Sequence, residues 1–299
     1  MYVYRPAGEN LELAEAELNG FLKAVDVDEN ASTDGRLAFT ESHPGQLKRL
    51  ALIHEVAEKI DIESFRPKGS FKVRVENLTE GKADKEEIEN RVGEKLSTEE
   101  NSVDLEKPGT EIKVYITEDE ELYSKVVEDI PRGLYNKRSN EKRPFSSPVS
   151  LDPVLARVMV NLSEVSAGEQ VLDPFCGTGG ILIEAGLCGI GVKGLDIQKE
   201  MVEGCRENVE KFGILNHEIK RGDISEVEEI FNKYDAVISD LPYGKASKKE
   251  ENPVKKFLDF IEDFDGKTVF MYNKASVGDY EADFEVYVHK NLTRYIFQI

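Results

Sequence analysis

The 299-residue sequence has few cysteines, and their spacing is unhelpful for cross-linking. Cys176, Cys188 and Cys205 are odd in number and lie far apart along the chain. This pattern suits neither a disulfide framework nor a zinc site built from close cysteine pairs. We therefore expect three reduced thiols and no structural metal.

Long apolar runs are also missing. No stretch approaches the roughly 20 apolar residues that a membrane-spanning helix needs. The start of the sequence, MYVYRPAGENLELAEAE, lacks a basic region followed by an apolar one. We expect a cytoplasmic protein with no membrane association. The sequence does not determine the oligomeric state, and we take a monomer as the working expectation.

Positive charge is scarce: 59 acidic residues face 39 basic ones, for a net charge of −20. Such a surface opposes binding to a polyanion, so any nucleic-acid site has to be a local basic patch. One segment, RGLYNKRSNEKR, reverses the balance with a single acid, Glu141. Its basic residues are Arg132, Lys137, Arg138, Lys142 and Arg143. Two interpretations stay open, a solvated linker or a hinge that contacts RNA phosphates.

The N-terminal half has the pattern of an α+β structure. MYVYRP and RLAFTES alternate like strands, whereas LELAEAELNGFL and QLKRLALIHEVAEKI (46–60) have helical periodicity. From Phe71 the pattern restarts with a strand, FKVRVEN, and Asp84 is a suitable N-cap for the helix DKEEIENRVGEKL. SVDLEKPGTEIKVYIT then predicts a short extended segment, a Pro-Gly turn and a strand. This order of segments resembles the THUMP domain, an RNA-binding module of tRNA-modifying enzymes.

The second half predicts a mostly parallel sheet. Asp152 and Pro153 suit the N-cap and first turn of an amphipathic helix. QVLDPF, VKGLDI, YDAVISDL and KTVFMYN are short apolar strands mostly separated by helical stretches, which is typical of a parallel sheet covered on both faces. FEVYVHK and LTRYIFQI leave no room for a helix between them, so they predict a hairpin and one antiparallel strand.

A glycine-rich loop follows the first of these strands in VLDPFCGTGGILIE. Gly177 and Gly179 allow close approach of a ligand, and the helix beginning near Ile181 offers free backbone amides. Asp173 at the strand tip is a poor neighbour for a pyrophosphate. Its carboxylate instead suits a cationic or amine-bearing ligand, such as the amino-acid moiety of S-adenosylmethionine.

Two further acids follow the next two strands. Asp196 is placed to accept the ribose hydroxyls of a nucleoside cofactor, although it could instead cap the following helix. Asp223 can accept an adenine amine. Because the carboxyl ends of parallel strands share one sheet edge, capping alone does not account well for acids at three successive tips.

The stretch ISDLPYG (238–244) ends the fourth strand, beside the expected switch point of the sheet. Asp240 can accept hydrogen bonds from an exocyclic amine, Pro242 can fix the turn and Tyr243 can stack on a flipped-out base. The alternative is a turn that ends the strand and buries a tyrosine.

Together, DPFCGTGGILIEAG, GLDIQKEMVEGCRENV, RGD and SDLPYG, preceded by RPFSSPVSLDPVLARVMVNLSEV, resemble the archaeal THUMP-containing tRNA guanine-N2-methyltransferases, best the family that modifies guanosine 10. The resemblance implies a Rossmann-like class I methyltransferase domain with a seven-stranded sheet and terminal antiparallel hairpin, preceded by an α+β ferredoxin-like and THUMP region. The implied boundaries are 1–65 for the ferredoxin-like unit, 66–130 for the THUMP-like module, 131–147 for a basic linker and 148–299 for the methyltransferase domain. One departure is Leu241, where the family's usual D-P-P-Y has its first proline.

The resemblance also implies the cofactor S-adenosylmethionine, tRNA as partner, and a set of site residues. The catalytic residues would be Asp240, Pro242 and Tyr243. Cofactor-binding residues would be Asp173, Phe175, Gly177, Gly179, Asp196, Ile197, Asp223, Ile224 and Asp240. RNA-binding residues would be Arg132, Lys137, Arg138, Lys142 and Arg143.

Several alternatives stay open at this point. The acceptor could be another tRNA guanosine, such as position 6, or adenine N6 of a nucleic acid, or a protein amide nitrogen, which the RNA-binding module disfavours. The number of methyl groups added, one or two, is undetermined. A non-enzymatic hypothesis is that the protein binds RNA and keeps only a relic of a cofactor site. The intact acidic residues at the strand tips argue against this hypothesis.

Overall fold

A computed structural model describes residues 1–8, 10–148, 150–242, 252–289 and 292–299. The chain divides into two compact units. Unit 1 comprises residues 1–15, 29–48 and 52–131, and unit 2 comprises 16–28, 49–51 and 132–299. Among the described residues, no helix has the length and apolar character required to span a membrane.

Unit 1 is built on one eight-stranded sheet with the order β2-β3-β1-β4-β8-β7-β5-β6. The strands are β1 (Tyr2–Pro6), β2 (Ser32–Asp34), β3 (Leu37–Thr40), β4 (Ile53–Lys59), β5 (Gly69–Asn77), β6 (Asn101–Val103), β7 (Thr110–Ile116) and β8 (Glu121–Asp129). β5 runs parallel to β6 and β7, and the other pairs are antiparallel. Helix α1 (Leu11–Ala24) begins in unit 1, and its residues from Ala16 onward group with unit 2.

Helix α2 (Lys85–Leu96) packs its apolar face on β5 and β7. The predicted N-cap is confirmed, because the Asp84 carboxylate accepts the Glu87 N–H at 3.1 Å. Val92 and Leu96 of the helix are buried against Phe71 and Ile112. Alternate residues of the two strands point to this helix, and this produces the alternating apolar pattern that predicts both strands from the sequence.

The helix predicted over 46–60 is wrong. Leu47–Arg49 form a single 3-10 turn, and Ile53–Lys59 form strand β4. β4 lies inside the sheet, with β1 on one side and β8 on the other. Backbone pairing on both sides outweighs the helical propensity of its alanine and glutamate residues.

The same pairing corrects the boundary predicted at residue 65. β4 belongs to the predicted ferredoxin-like unit and β8 to the predicted THUMP-like module, yet the two strands are hydrogen-bonded neighbours. The eight strands therefore form one continuous sheet, and no compact unit ends at residue 65.

Unit 2 contains a seven-stranded sheet with the order β11-β10-β9-β12-β13-β17-β16. Its strands are β9 (Gln170–Asp173), β10 (Gly191–Asp196), β11 (His217–Arg221), β12 (Ala236–Asp240), β13 (Lys267–Tyr272), β16 (Phe284–His289) and β17 (Leu292–Gln298). A separate small hairpin is formed by β14 (Ser276–Val277) and β15 (Tyr280–Glu281). The helices are α3 (Gly133–Asn136), α4 (Pro153–Leu162), α5 (Gly180–Gly186), α6 (Lys199–Lys211), α7 (Val227–Ile230) and α8 (Pro253–Glu262).

The predicted topology of this sheet is confirmed. The first five strands of the order are parallel, and β17 is antiparallel to both β13 and β16. The chain direction of the crossovers reverses between β9 and β12, so the switch point lies between the tips of these two strands. Asp152 caps α4 as predicted, because its carboxylate accepts the Val154 N–H at 2.9 Å.

The segment predicted as a basic linker is instead part of unit 2. Residues 132–147 include α3 and a 3-10 turn at Asn140–Lys142. Tyr135 of α3 is buried, and its hydroxyl donates to the Leu50 carbonyl at 3.3 Å. An aromatic anchor in this segment explains why it folds with unit 2 rather than remaining a solvated linker.

Candidate active site

A cavity of about 640 Å³ lies at the carboxyl edge of the parallel strands. All four acids singled out at strand tips line it: Asp173, Asp196, Asp223 and Asp240. This volume lies within the range of about 300 to 1,000 Å³ that small-molecule and cofactor sites occupy. The sequence prediction that the four tips share one edge is therefore confirmed by the geometry.

Asp173 ends β9 and is only 3% exposed. Its Oδ1 accepts the Ser239 hydroxyl at 2.7 Å and the Phe175 N–H at 3.1 Å. Burial, together with the negative charges of Asp240 and Asp196, raises the pKa of Asp173 to about 7, although the two hydrogen bonds act in the opposite direction. A carboxylate held at this cost in free energy is suited to a cationic ligand that restores the charge balance.

Asp196 ties the glycine-rich loop to the tip of β10. Its Oδ2 accepts the Gly177 N–H at 3.1 Å, and its Oδ1 accepts the Gln198 N–H at 2.8 Å. Burial raises the pKa of this carboxyl despite both bonds. Asp196 thus also supports the start of α6, the alternative role considered for it. Because each carboxylate oxygen has two lone pairs, both oxygens keep acceptor capacity for ribose hydroxyls.

The two predicted loop glycines differ in role. Gly177 lines the cavity with φ at +49°, in the left-handed region that favours glycine. Gly179 has φ at +80° and lies outside the cavity lining, where a Cβ would stand 2.7 Å from Cys205 Sγ. Close packing of α5 on α6 explains the glycine at this position, and the cofactor-binding role of Gly179 stays a prediction.

Asp223 caps a 3-10 turn at Ile224–Glu226. Its Oδ1 accepts both the Ser225 N–H at 3.1 Å and the Lys256 Nζ at 3.0 Å. Burial alone would raise the pKa of this carboxyl, but the bonds from Ser225 and the Lys256 ammonium hold it below its usual value. Asp223 is thus both a cap and a cavity-lining acceptor.

The apolar residues predicted for the cofactor lie around the same cavity. Phe175, Ile197 and Ile224 all line it. Ile197 is 58% exposed, which is high for an isoleucine after a buried strand. Phe175 packs on Phe257, with ring centroids 6.2 Å apart. Exposed apolar side chains inside a polar-edged cavity suit the faces of a flat base.

Asp240 ends β12 and pairs with an arginine that the sequence analysis missed. Arg294 Nη1 of β17 donates to Asp240 Oδ1 at 2.7 Å. Burial raises the pKa of Asp240 to about 6, and the positive charge of Arg294 opposes that rise. The only sequence signal for this pair is a basic residue inside the apolar strand LTRYIFQI.

Leu241 and Pro242 continue from Asp240. Leu241 is fully buried in the core of unit 2, and its N–H donates to the Met271 carbonyl at 2.9 Å. This bond extends the pairing of β12 with β13, and a proline at the position could not make it. Pro242 lines the cavity. Tyr243, predicted to stack on a base, lies outside the described residues.

The five predicted RNA-binding residues fall into two groups. Lys137 and Lys142 are exposed, and Arg132 is half-buried. Arg138 instead donates to the buried Glu184 carboxylate at 2.6 and 3.0 Å. Arg143 is also buried, with Nε bonded to the Arg138 carbonyl at 3.0 Å and Nη1 to Thr178 Oγ1 at 3.4 Å. A phosphate-binding role for these two arginines is therefore wrong, because their guanidinium groups face the interior of unit 2.

One further device was missed by the sequence analysis. Asn208 of α6 is fully buried, and its amide bonds both the N–H and the carbonyl of Phe145, at 3.0 and 2.8 Å. The same amide donates to the Thr178 carbonyl at 2.9 Å. Gly204, one turn earlier, leaves room for the Phe145 ring, since a Cβ would stand 2.1 Å from it. α6 thereby holds the glycine-rich loop and the segment before α4 in one arrangement.

Two family models and several curated proteins match this sequence. Residues 140–265 match the family described as RMKL-like, methyltransferase domain, and residues 48–122 match the THUMP domain. The tRNA (guanine(10)-N2)-dimethyltransferase of Methanothermobacter thermautotrophicus is 38% identical over 276 residues, which cover 84% of this chain and 81% of the relative. The chain belongs to this family. The THUMP match begins at residue 48, in the 3-10 turn before β4, rather than at residue 66.

More distant relatives share the architecture. The tRNA (guanine(6)-N2)-methyltransferase of Thermus thermophilus is 27% identical over 232 residues, covering 76% of this chain and 65% of the relative. The crystal structure of TrmN from Thermus thermophilus superposes with a TM-score of 0.55 at 20% identity, covering 99% of this chain and 98% of that one. Unit 2 therefore has the class I S-adenosylmethionine-dependent methyltransferase fold. Among the described residues, no group of three or more histidine, cysteine or acidic side chains could hold a metal ion.

Proposed function

We propose that this protein transfers a methyl group from S-adenosylmethionine to the exocyclic N2 of guanosine 10 in tRNA, once or twice. The observation that carries the proposal is the Asp240 carboxylate at the switch point, facing a cavity whose other acids suit a nucleoside cofactor. Family membership supports the position, because identity to the guanosine-10 relative is 38% against 27% for the guanosine-6 relative.

The residues present fit the cofactor. Asp173 is buried, and the hydrogen bonds that it accepts within the described residues come from neutral donors, so it suits the cofactor's ammonium group. Asp196 keeps lone pairs for the ribose hydroxyls, and Asp223 with Ile197 and Ile224 suits the adenine. The chemistry that S-adenosylmethionine supplies when bound is an electrophilic methyl group on a positively charged sulfur.

Asp240 acts on the substrate side. Its carboxylate accepts a hydrogen bond from the guanine N2–H and so orients the nitrogen lone pair. With a pKa of about 6, the group is ionised at neutral pH and still basic enough to take a proton. The proton that N2 must lose passes to an Asp240 carboxylate oxygen in this proposal. In this proposal Pro242 restricts the turn after Asp240, and Tyr243 is the residue assigned to stack on the base.

The proposal is tested by nucleoside mass spectrometry on a tRNA transcript incubated with enzyme and cofactor. We expect N2-methylguanosine or N2,N2-dimethylguanosine that disappears when guanosine 10 is replaced by adenosine and persists when guanosine 6 is replaced. Asp240→Ala should abolish transfer and leave cofactor binding nearly unchanged, whereas Asp259→Asn, at an exposed site on α8, is the matched control. Normal transfer by Asp240→Ala, or methylation that follows guanosine 6, would refute the proposal.

We assign tRNA binding to unit 1 together with the exposed lysines Lys137 and Lys142. Each lysine near a phosphate releases condensed counterions, so the double change to glutamine should reduce the slope of log affinity against log salt by roughly 1.5 to 2. Changing Lys211 and Lys233, two other exposed lysines, should leave the slope unchanged. An unaltered slope in the first variant would show that the segment takes no part in binding.

We also propose that the protein works as a monomer in the cytoplasm. Light scattering of the purified protein, with and without tRNA, should give one chain per particle. A particle with the mass of two chains would contradict the proposal that the protein is a monomer.

A further inference from the structure

Strand β17 brings a cation to the carboxyl edge of the parallel strands. β13 separates β12 from β17, and Tyr272, the last residue of β13, pairs with Tyr295. Arg294 therefore lies just past the end of β13, at the edge where the β12 tip also lies. From there its guanidinium reaches Asp240 Oδ1 at 2.7 Å.

The pair is well shielded from water. The Arg294 side chain is 8% exposed and the Asp240 side chain 16% exposed. In such a setting a charge-assisted bond is stronger than at the surface, and loss of one partner leaves the other charge buried and unpaired. The geometry of the Asp240 carboxylate is thus tied to β17.

We propose that Arg294 is a positioning residue for methyl transfer: it holds the Asp240 carboxylate ionised and fixes its orientation through the bond to Oδ1. This inference rests on the proposed function, in which Asp240 receives the guanine N2–H. Arg294 is not assigned any contact with substrate or cofactor.

The charges around Asp240 favour this role. Among the described residues, Asp173 on β9 is the negative group that interacts with Asp240, and Asp173 in turn interacts with Asp196 on β10. Lys256 on α8 is the only basic residue among the described cavity-lining side chains, and it pairs with Asp223. Within the described part of the chain, Arg294 is a cation bonded directly to Asp240, and its loss would leave Asp240 beside the buried Asp173 with less compensating positive charge.

The substitution Arg294→Gln removes the charge while keeping a hydrogen-bond donor. Since the arginine opposes the effect of burial, its loss should raise the pKa of Asp240 and move the acid limb of single-turnover methyl transfer upward by at least about one pH unit. For a shift of one unit, transfer should fall about threefold at pH 6.5 and towards tenfold below pH 6, and it should recover towards the wild-type rate at pH 9. Arg294→Lys should restore much of the acid limb. A loss that is equal at all pH values would mean a merely structural role and would overturn the proposal.

Two measurements keep the proposal separate from the proposed function. The ¹³C shift of the Asp240 carboxyl carbon should titrate at higher pH in Arg294→Gln than in wild type, whether or not tRNA is methylated. An unchanged titration would overturn the role of Arg294 even if guanosine 10 is the substrate. Lys267→Gln, which removes a cation from the opposite end of β13, is the matched control and should change neither titration nor rate. S-adenosylhomocysteine affinity should stay within about twofold in both variants, and a large loss in Arg294→Gln alone would also count against the proposal.

Discussion

Replacing Asp173 by asparagine should make the protein more stable while impairing cofactor binding. Asparagine matches the protonated carboxyl in shape and can still accept from the Ser239 hydroxyl and the Phe175 N–H, the two bonds that Asp173 Oδ1 makes. It cannot carry the charge that burial disfavours.

The magnitude follows from the pKa of Asp173, which rises from 3.8 to about 7 on folding. Between these values the folded protein binds one proton more than the unfolded chain, so the free energy of unfolding falls as pH rises and levels off above about pH 7. At about 1.36 kcal/mol per pH unit, the ionised group costs at most about 4 kcal/mol. Asp173→Asn lacks this cost, so its advantage should grow by about 2 kcal/mol between pH 5 and pH 7.

Urea denaturation at pH 5, 6, 7 and 8 measures this difference. The advantage of Asp173→Asn over wild type should increase with pH up to about 7 and then stay constant, while Asp259→Asn should follow wild type. Calorimetric titration with S-adenosylmethionine should show wild-type affinity rising up to about tenfold per pH unit below pH 7 and a weak, flatter response in Asp173→Asn. Parallel stability curves for wild type and Asp173→Asn would refute the reasoning about a buried, destabilised carboxylate.

Two further predictions concern residues around the site. Leu241→Pro restores the family's usual D-P-P-Y, but it breaks the bond to the Met271 carbonyl, so we expect a loss of about 1 to 3 kcal/mol in unfolding free energy by urea denaturation; equal or greater stability would contradict the assigned role of that bond. Gly204→Ala should displace the Phe145 ring and weaken S-adenosylmethionine binding measured by calorimetry about tenfold, at a cost of about 1 to 3 kcal/mol in stability. Gly93→Ala, in α2 where a Cβ meets nothing within 4 Å, is its control and should be neutral or slightly stabilising, so equal effects of the two changes would exclude the packing argument.

Much of the candidate site could be predicted because its residues occupy strand tips. Short apolar strands are visible in the sequence, and the parallel arrangement brings the residue after each strand to one edge. Asp173 and Asp240 were therefore found without any knowledge of long-range contacts. Arg294 was not, because its partner lies 54 positions away and two strands across the sheet.

The errors have the same physical origin. β4 has the composition of a helix, and only its two neighbours in the sheet make it a strand. Arg138 and Arg143 looked like solvent-facing charges in a basic segment, but a buried carboxylate and the glycine-rich loop bind their side chains. A local sequence pattern reflects the preferences of a segment by itself. Tertiary contacts determine the strand conformation of β4 and the positions of the Arg138 and Arg143 side chains.

The eight-stranded sheet of unit 1 ends on both sides with a strand of only three residues, β2 and β6. An edge strand offers unpaired backbone groups to other chains, and its length sets how many ladder bonds a foreign strand can form. Edge strands of three residues can pair only briefly with a strand of another molecule, which limits aggregation through the sheet edges even though Val103 on β6 is exposed. Substitutions to β-branched residues that extended β6 by several positions would therefore favour aggregation before they altered the enzyme's own fold.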